Sequence, residues 1–446
     1  MKRIIETFKN IYRIEELRIR ILNTLGFLLI YRLGSFVVLP GVDSVALQAG
    51  ASQAQGIAAL LNMFAGGAFS RASVFALGIM PYISASIVMQ LLGIAIPQFA
   101  KMQKEGESGR KKINQYTRLL TIVICLAQAP SYIATQVPAN AIVMDSMLFW
   151  VSSVVLLVTG TMFVMWLGEK ITDKGLGNGI SLLIMIGIIA GLPTALAFEF
   201  QSQIGIGGGG LVIFLIEIVF LLLVTIATIL LVQGVRRVPV NFAKNVVGSR
   251  QYGGARQYLP LKVNASGVMP IIFAQALMFV PMTIVGFSDS DALTGLAAAF
   301  GDITGFWYNF IFAILIIAFT YFYTAITVNP NQMADDLKKN GGFVPGIRPG
   351  KDTAEFLDTI ISRITLPGSF FLALVAILPA FAMIAGVSTG FAYFFGGTSL
   401  LIMVGVILDT LQQVESYLLM REYDGLMKSG RISGRSSANT YGGVAQ

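Results

Sequence analysis

Ten runs of about 20 apolar residues occupy nearly half of this 446-residue chain, near positions 19–39, 73–96, 116–136, 147–167, 179–198, 211–233, 265–287, 306–328, 366–386 and 393–413. A run of that length crosses a bilayer as a helix. Inside the hydrocarbon no water is at hand, so a spanning segment has to satisfy its own backbone hydrogen bonds. An all-α polytopic membrane protein with ten transmembrane helices is therefore expected. Composition agrees: 55% of residues are apolar and 12% charged, against about 25% charged in a soluble domain. Pro40-Gly41-Val42 follows the first run where a small-residue cleavage site would stand, so no removed signal peptide is expected. The one cysteine, Cys125, lies inside a run and excludes an internal disulfide. Histidine is absent, and with it the commonest metal ligand.

Loop charge sets the orientation. Lysine and arginine crowd the amino terminus, the loops after the second, fourth, sixth and eighth runs, and the tail, from Lys2 and Arg3 to Arg431 and Arg435. The intervening loops hold Arg71 among Asp43, Asp145, Glu199, Asp289, Asp291 and Asp302. By the positive-inside rule both termini are expected on the cytoplasmic side. A Gly-rich stretch, Gly205 to Gly210, separates five runs from five. An odd number of spans per half puts the halves, 1–204 and 205–446, in opposite orientation, as in inverted repeats. No sequence identity between the halves accompanies this topological inference.

The second run carries Ile79, Ile83 and Ile87 at a spacing of four, on one helical face. Such a stripe suits a hydrophobic constriction that gates by excluding water; ordinary helix packing produces the same pattern. Just before it lies NMFAGGAFSR (Asn62, Met63, Phe64, Ala65, Gly66, Gly67, Ala68, Phe69, Ser70, Arg71), too short and too polar to span a membrane. Arg32 sits at membrane depth, where charges face protein interior; a structural pairing with backbone or a neighbouring helix is its plainest role. Glu217 and Asp409 lie near run ends and are expected to snorkel outward. Gln90, Gln128 and Gln275 occupy three different runs, as interhelical glue or as a polar seam. No HExxH, Ser/His or paired-Asp constellation and no phosphate-cradling loop occurs, so neither hydrolysis nor nucleotide binding is expected of this chain.

Two basic loops are the other feature. Residues 234–264 alternate like strands around a turn-rich tip with Lys244, Arg250 and Arg256. Residues 329–365 set Arg348 in a tip stiffened by proline and glycine, KKNGGFVPGIRPGK. Both suit docking to RNA phosphates or to an acidic protein surface. On these grounds alone a channel and a secondary transporter fit equally, the latter with helices broken at Pro193, Pro270 and Pro281. The aliphatic stripe and the docking loops stand against the transporter without deciding between the two.

Longer motifs carry a resemblance. GSFVVLPGVD, NMFAGGAFSRASVFALGIMPYISASIVMQLL, KEGESGRKKINQYTR, TGTMFVMWLGEKITDKGLGNGIS, LPLKVNASGVMP, NPNQMADDLKKNGGFVPGIRPG and FFGGTSLLIMVGVILD, in that order, resemble the SecY family of protein-secretion channels over nearly the whole chain. The resemblance implies two five-helix halves that open like a clamshell, with no cofactor. It makes Ile79, Ile83, Ile184, Ile272 and Ile402 a pore ring and residues 62–71 a plug half-helix. Gln90, Gln128 and Gln275 would line a lateral gate between spans two and three and spans seven and eight. Arg348, Lys244, Arg250 and Arg256 would dock a SecA motor ATPase or the ribosome. SecE-like and SecG-like small subunits, signal sequences and the bacterial cytoplasmic (inner) membrane are implied as well.

Overall fold

The computed structural model describes residues 14–43, 47, 62–205, 210–242, 244–247, 250–253, 256–285 and 303–428. The middle of the glycine stretch between the halves, 206–209, lies outside them. Helix α1 spans Glu15–Gly34, α2 Met80–Ala95, α3 Pro97–Lys104, α4 Glu107–Gln136, α5 Ser146–Lys174, α6 Gly179–Ile204 and α7 Gly210–Gln233. Strands β1 (Val235–Phe242), β2 (Lys244–Val247), β3 (Arg250–Gly253) and β4 (Arg256–Lys262) follow. Then come α8 (Met269–Val285), α9 (Phe306–Thr327), α10 (Pro330–Lys339), β5 (Gly342–Phe343), α11 (Lys351–Ile384), α12 (Thr389–Ala392) and α13 (Gly397–Lys428).

Each expected span falls on a helix. Among the described residues seven helices are long and apolar enough to cross a membrane, and α2 with α3 adds an eighth as a bent pair. The exceptions are α1, which carries Glu15, Glu16 and Arg32, and α8, which is 17 residues long. The 106° bend between α2 and α3 falls at Ile96, whose extended backbone is what a following proline favours. Asn178 caps α6 by accepting from the Ile180 and Ser181 amides at 3.1 and 3.5 Å. Asn329 does the same for α10, with Pro330 at the first helical position.

The helices pack as two groups. In the first, α2 lies on α4, α4 on α5, and α5 on α1 and α6. In the second, α8 lies on α9, α9 on α11, and α11 on α7 and α13. Helix α6 joins the groups through α7, α12 and α13. Among the described residues α2 and α4 make at most marginal contact with α8 and α9. The two groups are thus joined broadly at α6, and α2 meets the second group at a thin seam, where Met80 and Ile83 lie with Ile272 and Gln275 of α8.

The two basic loops form one unit. Strands β4, β1 and β5 make an antiparallel sheet in that order, with Val235 opposite Lys262 and Asn241 opposite both Arg256 and Phe343. Strand β5 comes from the second loop, so its two residues hydrogen-bond the loops together. Val238, Leu261 and Leu357 bury a small apolar core beneath the sheet, with Met333 and Leu337 of α10 against it.

Candidate functional site

The segment before α2 folds on itself first. Within 62–71 the residues Asn62 to Phe64 are helical, and 65–71 run in turns instead of continuing the expected half-helix. The reason is local: Gly66 and Gly67 have φ of 62° and 83°, left-handed backbone that glycine adopts without strain. The Gly67 amide donates to the Asn62 carbonyl at 2.8 Å, and the Ser70 amide donates to Asn62 Oδ1 at 3.0 Å. A compact knot results.

The knot is then fastened to the first helix group. Arg32 Nη1 donates to the Gly66 carbonyl at 2.7 Å, and Arg71 Nη2 donates to the same oxygen at 2.9 Å. Both guanidiniums lie over the Phe36 ring, at 5.2 and 4.3 Å from its centroid. The Tyr132 hydroxyl of α4 donates to the Phe69 carbonyl at 2.6 Å. Gly187 of α6 lets the backbones touch, since a Cβ there would stand 2.5 Å from the Phe64 carbonyl oxygen. Arg32 therefore pairs with backbone, as its plainest reading has it, but with the backbone of this short segment.

Apolar side chains meet the knot from below. Ile79, Ile184 and Ile402 are buried in one cluster with Phe64, and Ile83 and Ile272 pack partly buried against it. A cavity of about 20 Å³ remains among Phe64, Met80, Ile83, Ile184, Ile272, Gln275, Thr398 and Ile402. That volume holds about one water molecule. Four of the five expected isoleucines face the cavity, from α2, α6, α8 and α13. Ile79 precedes α2 as its cap residue and lies behind the wall. Met80 and Thr398 were missed, although Met80 is three residues before Ile83 and Thr398 four before Ile402, the same helical faces.

The glutamines have separate partners. Gln90 of α2 is a neighbour of Tyr323 of α9, across the thin seam. Gln275 Oε1 of α8 accepts from Thr398 Oγ1 of α13 at 3.2 Å. Gln128 is half-buried on α4. No hydrogen bond joins any two of the three among the described residues. Near the loop end of the bundle, Arg118 of α4 grips Glu169 of α5 through two nitrogens, at 3.2 and 2.6 Å.

Glu217 departs from expectation. It does not snorkel outward; it is 7% exposed and its Oε1 accepts from Gln203 Nε2 at 3.0 Å. The donor lies 14 residues back in the sequence, on α6, so hydropathy along α7 carries no sign of it. Asp409 is exposed.

On the loop face, Arg348 is exposed in the turn between β5 and α11, and its carbonyl accepts from Thr353 Oγ1 at 2.8 Å. Lys244, Arg250 and Arg256 open β2, β3 and β4, with Lys244 opposite Gly253 and Val247 opposite Arg250. Their side chains lie outside the described residues.

Comparison with known proteins points one way. The SecY family profile matches residues 73–411. "Protein translocase subunit SecY" of Streptomyces coelicolor is 43% identical over 441 residues, covering 94% of this chain and 99% of that protein. The protein of the same name from Escherichia coli K12 is 42% identical over 440 residues, covering 94% and 96%. Among solved structures, "The structure of a protein conducting channel" aligns with a TM-score of 0.58 at 17% identity, over 94% of this chain and 95% of that one. A second, titled for the plug domain of the SecY protein and its membrane seal, aligns at 0.57 and 18%, again over 94% and 95%. At 17–18% identity these structures speak for the fold, while the relatives and the profile speak for descent: this chain belongs to the SecY family.

Proposed function

We propose that the chain is a protein-conducting channel, which passes unfolded secretory polypeptides across the bacterial cytoplasmic membrane and releases membrane-protein segments sideways into lipid. The observation that carries this is the meeting of Ile83, Ile184, Ile272 and Ile402, from four helices in both groups, under Phe64 of the 62–71 knot. A conduit for any sequence cannot rely on a selective binding site. Stiff aliphatic side chains yield to whatever threads them, and each contact is individually weak, so a moving chain meets no deep trap. When idle they leave space for about one water, which bars ions.

On this reading Ile79, Ile83, Ile184, Ile272 and Ile402 are the ring, and residues 62–71 are the plug. The seam of α2 and α4 against α8 and α9, with Gln90, Gln128 and Gln275, is the lateral gate. The α6 junction is the hinge. A signal sequence about as apolar as a span partitions through the seam into lipid. Arg348 and the basic residues Lys244, Arg250 and Arg256 take the SecA motor ATPase or the ribosome, which supply the drive. SecE-like and SecG-like subunits brace the halves, and both termini face the cytoplasm.

Ion conductance of the reconstituted chain tests the reading. Ile184→Asn and Ile83→Asn are expected to raise idle conductance and to loosen signal-sequence stringency. Unchanged conductance in both folded variants, or uptake of one small solute altered instead, would overturn it.

A further inference from the structure

We propose that Glu199 and Glu217 hold a single proton between them, so that the α6–α7 junction is a proton-binding site built into the hinge. The reading rests on the packing of the two helix groups and not on what passes through the channel.

Glu199 is fully buried, and Glu217 is 7% exposed. Gln203 Nε2 donates to Oε1 of both, at 2.8 and 3.0 Å. Glu199 Oε2 accepts from the Ser388 amide, ahead of α12, at 3.0 Å. One donor nitrogen shared by the two Oε1 atoms sets the Glu199 and Glu217 carboxyl groups side by side. Ionised carboxylates are acceptors only, so that contact becomes attractive only with a proton in it. Glu217 Oε2 and Ser388 Oγ are sealed from solvent without any partner. Glu217 Oε2 is thus the oxygen left to carry the proton.

Among the described residues the surroundings supply no other neutralising charge. Helices α6 and α7 contain no lysine or arginine, and neither do residues 367–408 of α11, α12, their connection and α13. The remaining titratable groups facing this end are acidic or weakly acidic: Asp145, exposed ahead of α5, and Tyr393 beyond α12. Arg32 of α1 and Arg71 of the knot are both engaged at the Gly66 carbonyl beside Gly187, 12 residues along α6, or about 18 Å of helix at 1.5 Å per residue. The bases of α5, α11 and α13 sit at the opposite, loop-bearing ends. Two like charges removed from water without a counter-ion cannot both stay ionised. A partner's side chain cannot reach a pair this buried. A hard metal ion needs some six oxygens, and three of the four carboxylate oxygens are already taken by amide donors.

Losing the proton puts two anions on one amide donor, across the contact that joins the helix groups. Deprotonation is therefore expected to loosen α6 from α7, making the hinge responsive to pH on its own side of the membrane.

The test uses the full chain in lipid vesicles, by infrared difference spectroscopy over a pH titration. At neutral pH a protonated-carboxyl band is expected, moved by isotopic labelling of glutamate. It should disappear at alkaline pH together with faster amide exchange at the facing ends of α6 and α7. Glu199→Gln/Glu217→Gln should lack both the band and the pH-dependent exchange, and Glu217→Gln alone should change the band. The proposal is overturned if the wild-type band is absent at neutral pH or survives in the double variant. It is equally overturned if sodium, potassium or calcium ions stabilise the wild type at fixed pH in a way the double variant does not share, for the occupant is then a metal ion. Should the double variant fail to insert, loss of the labelled band with pH in the wild type alone still decides the matter.

Discussion

Arg32, in the last turn of α1, and Gly66, 34 residues later, are joined by a 2.7 Å hydrogen bond from guanidinium to carbonyl. Arg71 completes a fork on the same oxygen. Hydrogen bonds from charged donors contribute about 1.5–3 kcal/mol, so losing one shifts the seated population of the 62–71 segment by roughly ten to a hundredfold. Arg32→Gln is expected to raise idle ion leak by that order while the chain inserts normally. Because both arginines share one acceptor, Arg32→Gln with Arg71→Gln should fall short of the summed single effects. Planar-bilayer recordings of the three variants check this. Additive effects, or none, would show that the fork does not hold the segment.

Gly187 offers an independent way to unseat the same segment without touching charge. An alanine Cβ there meets the Phe64 carbonyl oxygen at 2.5 Å and the Gly66 amide nitrogen at 3.2 Å. Both are backbone atoms that cannot swing away, so overpacking costs about 1–3 kcal/mol. At Gly191, one turn further along α6, the nearest atom is the tip of the Phe394 ring at 3.9 Å. Gly187→Ala is expected to leak ions when idle and Gly191→Ala to behave as wild type. Equal conductance in the two variants would refute the close approach.

How much of this was readable beforehand depends on the distance over which each cause acts. All ten apolar runs fall on helices because apolar length is a property of the local chain; seven of these helices are long and apolar enough to span, and α2 with α3 makes an eighth. The start of α2 was not legible: Ala72 and Gly78 turn at φ of 47° and 55°, so residues 73–79 lie outside the helix although they are apolar. The partners of Arg32 and Glu217 are set by tertiary packing. One is a backbone carbonyl, and the other is an amide on the preceding helix. Strand β5 is two residues long, too short for any period to announce, yet it unites the two basic loops. Within the apolar cluster, helical spacing identified Ile83, while Ile184, Ile272 and Ile402 came from family motifs, because lone isoleucines in apolar runs look alike.

Arg348 should be dispensable for folding and needed for export. Its side chain is exposed, and its carbonyl accepts from Thr353 Oγ1 at 2.8 Å. A surface substitution away from packed features changes stability by about 0.5 kcal/mol or less. Arg348→Glu is therefore expected to insert with wild-type stability and to stop secretion of a reporter precursor. Its binding to a motor or ribosome, measured by co-sedimentation, should fall with the reversal of charge. Thr353→Val, which loosens the turn but keeps the charge, should give a partial defect. Full export in Arg348→Glu would remove the docking role.

The seam makes the most demanding prediction. Gln90 on α2 and Tyr323 on α9 are neighbours where the two helix groups otherwise make marginal contact. If client segments leave sideways, these two side chains must part, whereas the α6 junction need only flex. With Cys125, which is fully buried, replaced by alanine to leave no native thiol, cysteines at 90 and 323 can be bridged by a reducible bifunctional thiol reagent. Bridging is expected to arrest both membrane-segment release and secretion, and reduction to restore them. Cysteines at 177 and 413, where the Gly177 amide donates to Gln413 Oε1 at 2.8 Å on the hinge side, should tolerate the same bridge with export intact. Arrest by the hinge-side bridge and free export under the seam bridge would place the opening on the other side of the molecule. The α2–α9 contact would then be structural.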